Sequence, residues 1–201
     1  MKEKQFIISI SREYGSAGHE IAQKLAEELG LPLYDRNILE QIADKMNTSV
    51  EVLEKYDERP RNKFLTRTVN GYSNSMEENL SQMQFDYLRS VAKEGNSFVV
   101  VGRCSETVFR SHEGLVSIFV TGDRETKISH VMEKYQLSRG DAIAKINRHD
   151  KKRKAYHNHF SDHKWGSSLT YDLCINSSRL GVDLSVDILK KYLEDRMKAY
   201  Q

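Results

Sequence analysis

Four short apolar runs punctuate the chain: Phe6-Ile7-Ile8-Ser9-Ile10, Phe98-Val99-Val100-Val101, Val116-Ser117-Ile118-Phe119-Val120 and Tyr171-Asp172-Leu173-Cys174-Ile175. Their β-branched content predicts strands rather than helices. They do not all alternate apolar with polar, which suits a parallel sheet covered on both faces. Leu31-Pro32-Leu33-Tyr34 is a fifth, shorter candidate. Between these runs the apolar spacing becomes helical. Ile21, Leu25 and Leu29 share one face of a segment from Glu20 to Leu29, and Gly30 follows where a C-terminal cap belongs. Further helices are predicted over Arg36 to Met46, Met76 to Glu94, from an N-cap at Asp123 through Tyr135, over Ser138 to Tyr156 and over Asp183 to Tyr200. Strands that alternate with helices imply βαβ units with right-handed crossovers, hence an α/β fold. The interval from about Thr48 to Asn96 holds no convincing strand and is long for one crossover, so it reads as a helical insertion.

Composition narrows the class. The 201 residues suit one domain, with 38% hydrophobic and 30% charged residues, enough for a core and a solvated surface. Lys and Arg number 31 against 29 Asp and Glu, a balance that announces neither nucleic acid nor a membrane surface as partner. No stretch approaches the ~20 apolar residues of a membrane span. Met1 to Phe6 is charged and lacks the apolar core and cleavage site of a signal peptide, so a cytoplasmic protein is expected. Cys104 and Cys174 fit no metal spacing and read as reduced thiols in or near the core.

Candidate chemistry begins directly after the first strand, with Ser11-Arg12-Glu13-Tyr14-Gly15-Ser16-Ala17-Gly18-His19-Glu20. A small-residue turn between strand and helix lets backbone N–H groups and the helix N-terminus cradle phosphate. Gly15 and Gly18 permit close approach and unusual φ. The loop resembles a Walker A motif, G-x-x-x-x-G-K-[ST], with Glu13 at the first Gly position, His19 at the Lys position and Glu20 at the Ser/Thr position. A His is mostly neutral at pH 7, so Arg12 is a candidate for the missing positive charge. The bland alternative is an ordinary βα turn.

Several blocks, in order along the chain, resemble the cytidylate kinase-like family. They are Ile8 to Gly18, Leu33-Tyr34-Asp35-Arg36, Val99-Val100-Val101-Gly102-Arg103-Cys104, Arg148-His149-Asp150-Lys151-Lys152-Arg153 and Tyr171-Asp172-Leu173-Cys174-Ile175-Asn176-Ser177. Cytidylate kinases typically carry a Lys where this chain has His19, so the resemblance is to a divergent branch. It implies a three-layer P-loop kinase-like fold with a parallel sheet of about five strands. It also implies one domain over residues 1–201, an acceptor-binding insertion over about 48–96 and a lid over about 136–168.

The activity implied is phosphoryl transfer from ATP, or another nucleoside triphosphate, with Mg2+, to a nucleoside monophosphate such as cytidylate. Gly15, Ser16, Ala17, Gly18, His19 and Glu20 would hold the donor. Asp35 and Arg103 would hold the acceptor, the guanidinium gripping its phosphate. Arg12, His19, Arg148 and Arg153 would serve the transfer, the last two descending with the lid. Alternatives stand beside these roles: a helix cap for Asp35, a surface salt bridge for Arg103 and a solvated helix face for Arg148 and Arg153. Arg148 and Lys152 share one face of that helix, and Arg153 lies about 140° round from Arg148. His157, His159, His163 and Asp162 match no recognised metal spacing, and no metal site is expected there. Trp165 with Gly166 either anchors the lid's return or simply packs, the second reading being favoured, and Tyr72, Phe85 and Tyr87 line either a base pocket or, more commonly for such aromatics, the core. Two other functions fit the same loop: a regulatory protein that binds a phosphorylated ligand without turnover, and a kinase of a small non-nucleotide metabolite. The insertion could form a homodimer interface as easily as a substrate lobe.

Overall fold

The computed structural model describes residues 4–59, 68–69, 72–73 and 75–200. Its elements run β1 (Ile7–Arg12), α1 (Gly18–Leu29), β2 (Leu33–Tyr34), α2 (Asn37–Met46), α3 (Val50–Glu54), β3 (Thr68–Val69), β4 (Tyr72–Ser73), α4 (Met76–Lys93), β5 (Phe98–Val101), α5 (Ser105–Val108), β6 (Leu115–Thr121), α6 (Arg124–Tyr135), α7 (Arg139–Phe160), β7 (Leu173–Asn176) and α8 (Ser177–Tyr200). The main sheet is five-stranded and parallel, in the order β2-β5-β1-β6-β7. Ile8 stands beside Val99 on one side and Val116 on the other.

Strand alternation divides the core between the two faces. Ile8 and Ile10 point to one face with Val99, Val101 and Ile118, under α1 and α8. Ile7, Phe98 and Val100 point to the other, under α2 and α4. The central strands are buried on both sides, which is why they read as continuous apolar runs. Helix ends follow local chemistry. Gly30 adopts a left-handed φ of 62° and closes α1, and Ser75 Oγ accepts the Glu78 N–H at the start of α4.

Several expectations need correcting. The insertion is not strand-free, because β3 and β4 form a two-residue antiparallel pair, too short to leave a period in the sequence. The side chain of Tyr72 lies outside the described residues. Asp123 holds the N-cap position of α6 as read from the sequence, but its carboxylate makes no capping bond: it accepts Asn176 Nδ2 at 2.9 Å and pairs with Arg179 at 3.0 Å. Helix α7 continues past Tyr156 to Phe160, and α8 starts at Ser177 with a break at Gly181 (φ 74°). Cys104 is buried, but Cys174 is exposed because β7 is an edge strand. Phe85 packs with Cys104, Tyr156 and Phe160, and Tyr87 packs edge-on beside Tyr34, so both serve the core.

Candidate functional site

Every strand of the main sheet delivers a residue of interest at its carboxyl end: Arg12 from β1, Asp35 after β2, Arg103 after β5, Gly122 after β6 and Asn176 from β7. Open α/β sheets bind ligands at this edge. Between β1 and α1 the loop turns through Gly15 (φ 84°) and then Ala17 (φ 57°), so the second left-handed position falls to an alanine rather than to Gly18. Gly18 is required for space, since a Cβ there would stand 2.6 Å from the Arg12 Cβ. The first intrahelical bond of α1 is Ile21 N–H to the Ala17 carbonyl. The amides of Gly18, His19 and Glu20 therefore sit at the positive end of the helix, beside a cleft lined by Arg12 to Gly15, Ala17 to Glu20, and His130, Lys134, Tyr135 and Arg153. Ser16 does not face this cleft. It is buried, its Oγ donates to the Glu13 carbonyl, and its own carbonyl accepts Ser177 Oγ at 2.6 Å.

The three departures from the Walker pattern each have a partner. His19 Nε2 lies 2.9 Å from Asp35 Oδ2, which joins the two sequence candidates across β1 and β2. Burial and then Arg12 push the His19 pKa down, outweighing the pull of Asp35. The other oxygen of Asp35 accepts the Asn37 N–H at 3.2 Å in the turn before α2, but the N-cap position itself falls to Arg36, so Asp35 is not the helix cap read from the sequence. Glu20 turns to α6 and pairs with Lys134 at 2.9 Å and His130 at 3.5 Å. Glu13 Oε2 accepts Lys127 Nζ (2.8 Å), Thr121 Oγ1 (2.7 Å) and the Gly122 N–H (3.3 Å), fastening the loop to the end of β6.

Helix α7 covers the loop from the other side. Asp150 Oδ1 accepts the Tyr14 N–H at 2.7 Å, and the His149 ring stacks on Tyr14 with centroids 4.2 Å apart. Arg153 Nη1 donates to the Arg12 carbonyl at 3.3 Å. Arg153 thus reaches the site, whereas Arg148 stays exposed beside Arg59, His149 and Lys152. The helical geometry read from the sequence accounts for this split.

Arg103 is buried at 6% exposure, so it is no surface salt bridge. It lies in a turn where Gly102, Arg103 and Cys104 all take positive φ (72°, 57° and 53°). Two consecutive non-glycine residues in that region are costly and persist where surrounding structure enforces them. Arg103 Nη1 pairs with Asp57 and lies 3.8 Å from Glu58 Oε1. Glu58 also meets Arg12 Nη1 at 3.4 Å and Arg153 Nε at 3.7 Å. Burial and then Arg153 push the Arg12 pKa down to about 10 despite Glu58.

The sequence reading missed Asp57, Glu58, Lys127 and the contact role of Asp150. Asp57 and Glu58 sit among charged residues with no period to mark them. Lys127 looked like one more helix lysine, and Asp150 belonged to a block singled out for its arginines. His157 also behaves differently from its neighbours. It is buried with Nε2 2.8 Å from Glu106 Oε1, off the line of a good hydrogen bond, while Asp162 and His163 are exposed. Trp165 packs edge-on against Phe119.

The loop's helix-terminal amides fit the phosphate groups that a triphosphate donor would bring. The Mg2+ expected with it finds a poorer fit at the Ser/Thr position, where the Glu20 carboxylate is already engaged by Lys134 and His130. That ion would be held by phosphate oxygens and water.

Comparison with known proteins agrees with this geometry. The model of the cytidylate kinase-like family matches residues 7–179. A crystal structure of an uncharacterized protein from Eubacterium ventriosum is 34% identical with a TM-score of 0.75, covering 94% of this chain and 99% of its own. Shikimate kinase from Bacteroides thetaiotaomicron has a TM-score of 0.56 at 15% identity, over 94% of this chain and 98% of that one. A sugar kinase from Janibacter sp. has 0.53 at 13% identity, over 94% and 95%. The last two show the fold alone, that of a P-loop kinase. No curated protein matches the chain. With a family match that spans β1 to the start of α8, the chain belongs to the cytidylate kinase-like family.

Proposed function

We propose that the protein is a nucleotide-dependent kinase. The donor triphosphate lies on the loop from Gly15 to Glu20, and the phosphate of a nucleoside monophosphate, cytidylate being the leading candidate, lies at Arg12, Arg103 and Arg153. The observation that carries this reading is the adjacency of two anion sites at one sheet edge: helix-terminal amides on one side of Arg12 and a buried arginine cluster on the other. An acceptor phosphate oxygen attacks the terminal phosphorus, the bond to the bridging oxygen breaks, and the nucleoside diphosphate leaves. Such transfer asks for positioning and positive charge rather than covalent help. Arg12 and Arg153 supply charge between the two sites, and the insertion and α7 are the acceptor lobe and the lid. The Lys missing from the loop makes transfer slower than in a loop that has one.

One observation favours a second acceptor class. Asp35, held against His19, is a carboxylate able to take a proton from an attacking hydroxyl, which a small-metabolite acceptor would need and a phosphate acceptor would not. The test is transfer from γ-labelled ATP to a panel of the four ribonucleoside monophosphates and hydroxylated metabolites, with Arg103→Ala and Asp35→Asn alongside. Transfer to a monophosphate, lost in Arg103→Ala, supports the main reading. Transfer only to a hydroxyl, lost in Asp35→Asn, replaces it. Stabilisation by nucleotide without any transfer leaves a regulatory binding protein.

A further inference from the structure

The arginine cluster is already occupied, by a carboxylate of the chain itself. Glu58 stands on the turn after α3 with a left-handed φ of 48°, and its side chain is only 12% exposed. Its two oxygens meet guanidinium groups from three separate places: Arg12 at 3.4 Å, Arg153 at 3.7 Å and Arg103 at 3.8 Å. These contacts are long for charge-assisted hydrogen bonds, which run about 2.7–2.9 Å. Among the described residues, Arg12 Nε and Arg103 Nε are buried without a hydrogen-bond partner. A buried donor left unmet is costly, and two of them on guanidiniums that share one carboxylate mark a site with more hydrogen-bonding capacity than Glu58 fills.

Charge counting sharpens this. Three guanidiniums face two carboxylates, Asp57 and Glu58, and Asp57 is further fixed by Gln84 Nε2 at 3.0 Å. Glu58 has no such second anchor among the described residues. With Glu58 withdrawn, the three guanidiniums outnumber Asp57 by two charges among the described residues, and Lys152 adds to the positive field. A phosphomonoester dianion balances that excess, and a monocarboxylate does not. Burial pushes the Glu58 carboxyl up, but Arg12, Arg103 and Arg153 together hold it well below the usual range, so it is charged when it competes.

Resting on the acceptor-site reading above, we propose that Glu58 is an internal stand-in for the acceptor's phosphate, holding the three arginines in place while the site is empty and exchanging with a phosphomonoester dianion on binding. The exchange deepens selectivity, because an acceptor must carry enough charge to displace a carboxylate already at hand. It also keeps the buried guanidiniums from facing one another unpaired.

The probe is inorganic phosphate at pH 8, without nucleotide, titrated against the wild type and Glu58→Gln. Trp165, the chain's one tryptophan, lines the same cleft as Arg12, Glu58, Arg103 and Arg153 and reports binding by its fluorescence. If Glu58 fills the site nine-tenths of the time, its loss tightens phosphate binding about tenfold. In the wild type, phosphate should also speed amide exchange across Leu53 to Arg59, a readout that stands if the variant fails to fold. Equal or weaker binding by a folded Glu58→Gln, or unchanged or slower exchange in the wild type, overturns the proposal. Equal binding by both proteins leaves the acceptor site intact and removes only the role of Glu58. Phosphate binding to neither overturns the acceptor-site reading along with it.

Discussion

Gly18 shows how tightly single residues constrain the site. Its missing Cβ makes room for the Arg12 side chain, and Gly18→Ala forces the loop and β1 apart. Overpacking of this kind costs about 1–3 kcal/mol, so urea unfolding should show that loss, and a nucleotide titration should show weaker binding. Glu106 and His157 make a different demand. Both are buried, and Ser9 and Ser11 donate to the second Glu106 oxygen at 3.4 and 3.3 Å. Glu106→Ala takes the acceptor from Ser9 and Ser11 in a buried setting and is expected to cost about 1–3 kcal/mol in the same assay. Glu13 adds a pH signature. Burial pushes its pKa up, but Lys127, Thr121 and the Gly122 N–H outweigh burial and hold it below 4.5. A depressed carboxylate contributes stability that is present above its unfolded pKa and is lost as pH falls through its folded one. Glu13→Gln should therefore lower the urea midpoint at pH 7 and flatten its decline below about pH 4.5. An unchanged acid profile would mean that the Lys127 contact contributes nothing net.

At the scale of elements, α7 covers the phosphate loop through Asp150, His149 and Arg153, while α6 holds it from the other side through Lys127, His130 and Lys134. Much of α7 was legible: its start near Ser138, its charge and the division of its arginines all follow from the sequence. What it rests on was not legible. Asp150 reaches a backbone N–H 136 positions away, and no periodicity encodes a partner at that distance. Burial, followed by Arg153, Arg148 and Lys145, pushes the His149 pKa down to about 4. Between pH 6.5 and about 4 the unfolded chain takes up a proton that the folded chain refuses, so stability contributed here falls as the medium acidifies across that window. His149→Asn should remove part of that decline. Asp150→Ala should speed amide exchange at Tyr14 while far-UV dichroism stays unchanged.

Over the whole molecule, the parallel sheet was readable because its central strands are apolar on both faces, and the loop was readable because glycine spacing is local. Lys127, Asp57 and Glu58 were not, because their importance arises only when α6 and the turn after α3 meet the end of β1 and its loop. The same convergence links the two proposed sites. Arg12 lines both clefts, its guanidinium facing Glu58 and its carbonyl held by Arg153. A ligand that orders Arg12 from one side has already met part of the ordering cost for the other, which is a coupling free energy and is reciprocal. Either ligand alone at a hundred times its dissociation constant adds about 2.7 kcal/mol, or roughly 5–11 °C in melting temperature for a chain of this size. A non-hydrolysable ATP analogue and cytidylate added together should shift the wild type by more than the sum of their separate shifts. In Arg153→Ala, which frees the Arg12 carbonyl and removes one wall of each cleft, the combined shift should fall to that sum. Strict additivity in the wild type would show that Arg12 serves the two sites independently, and that the shared edge of the sheet brings them close without coupling them.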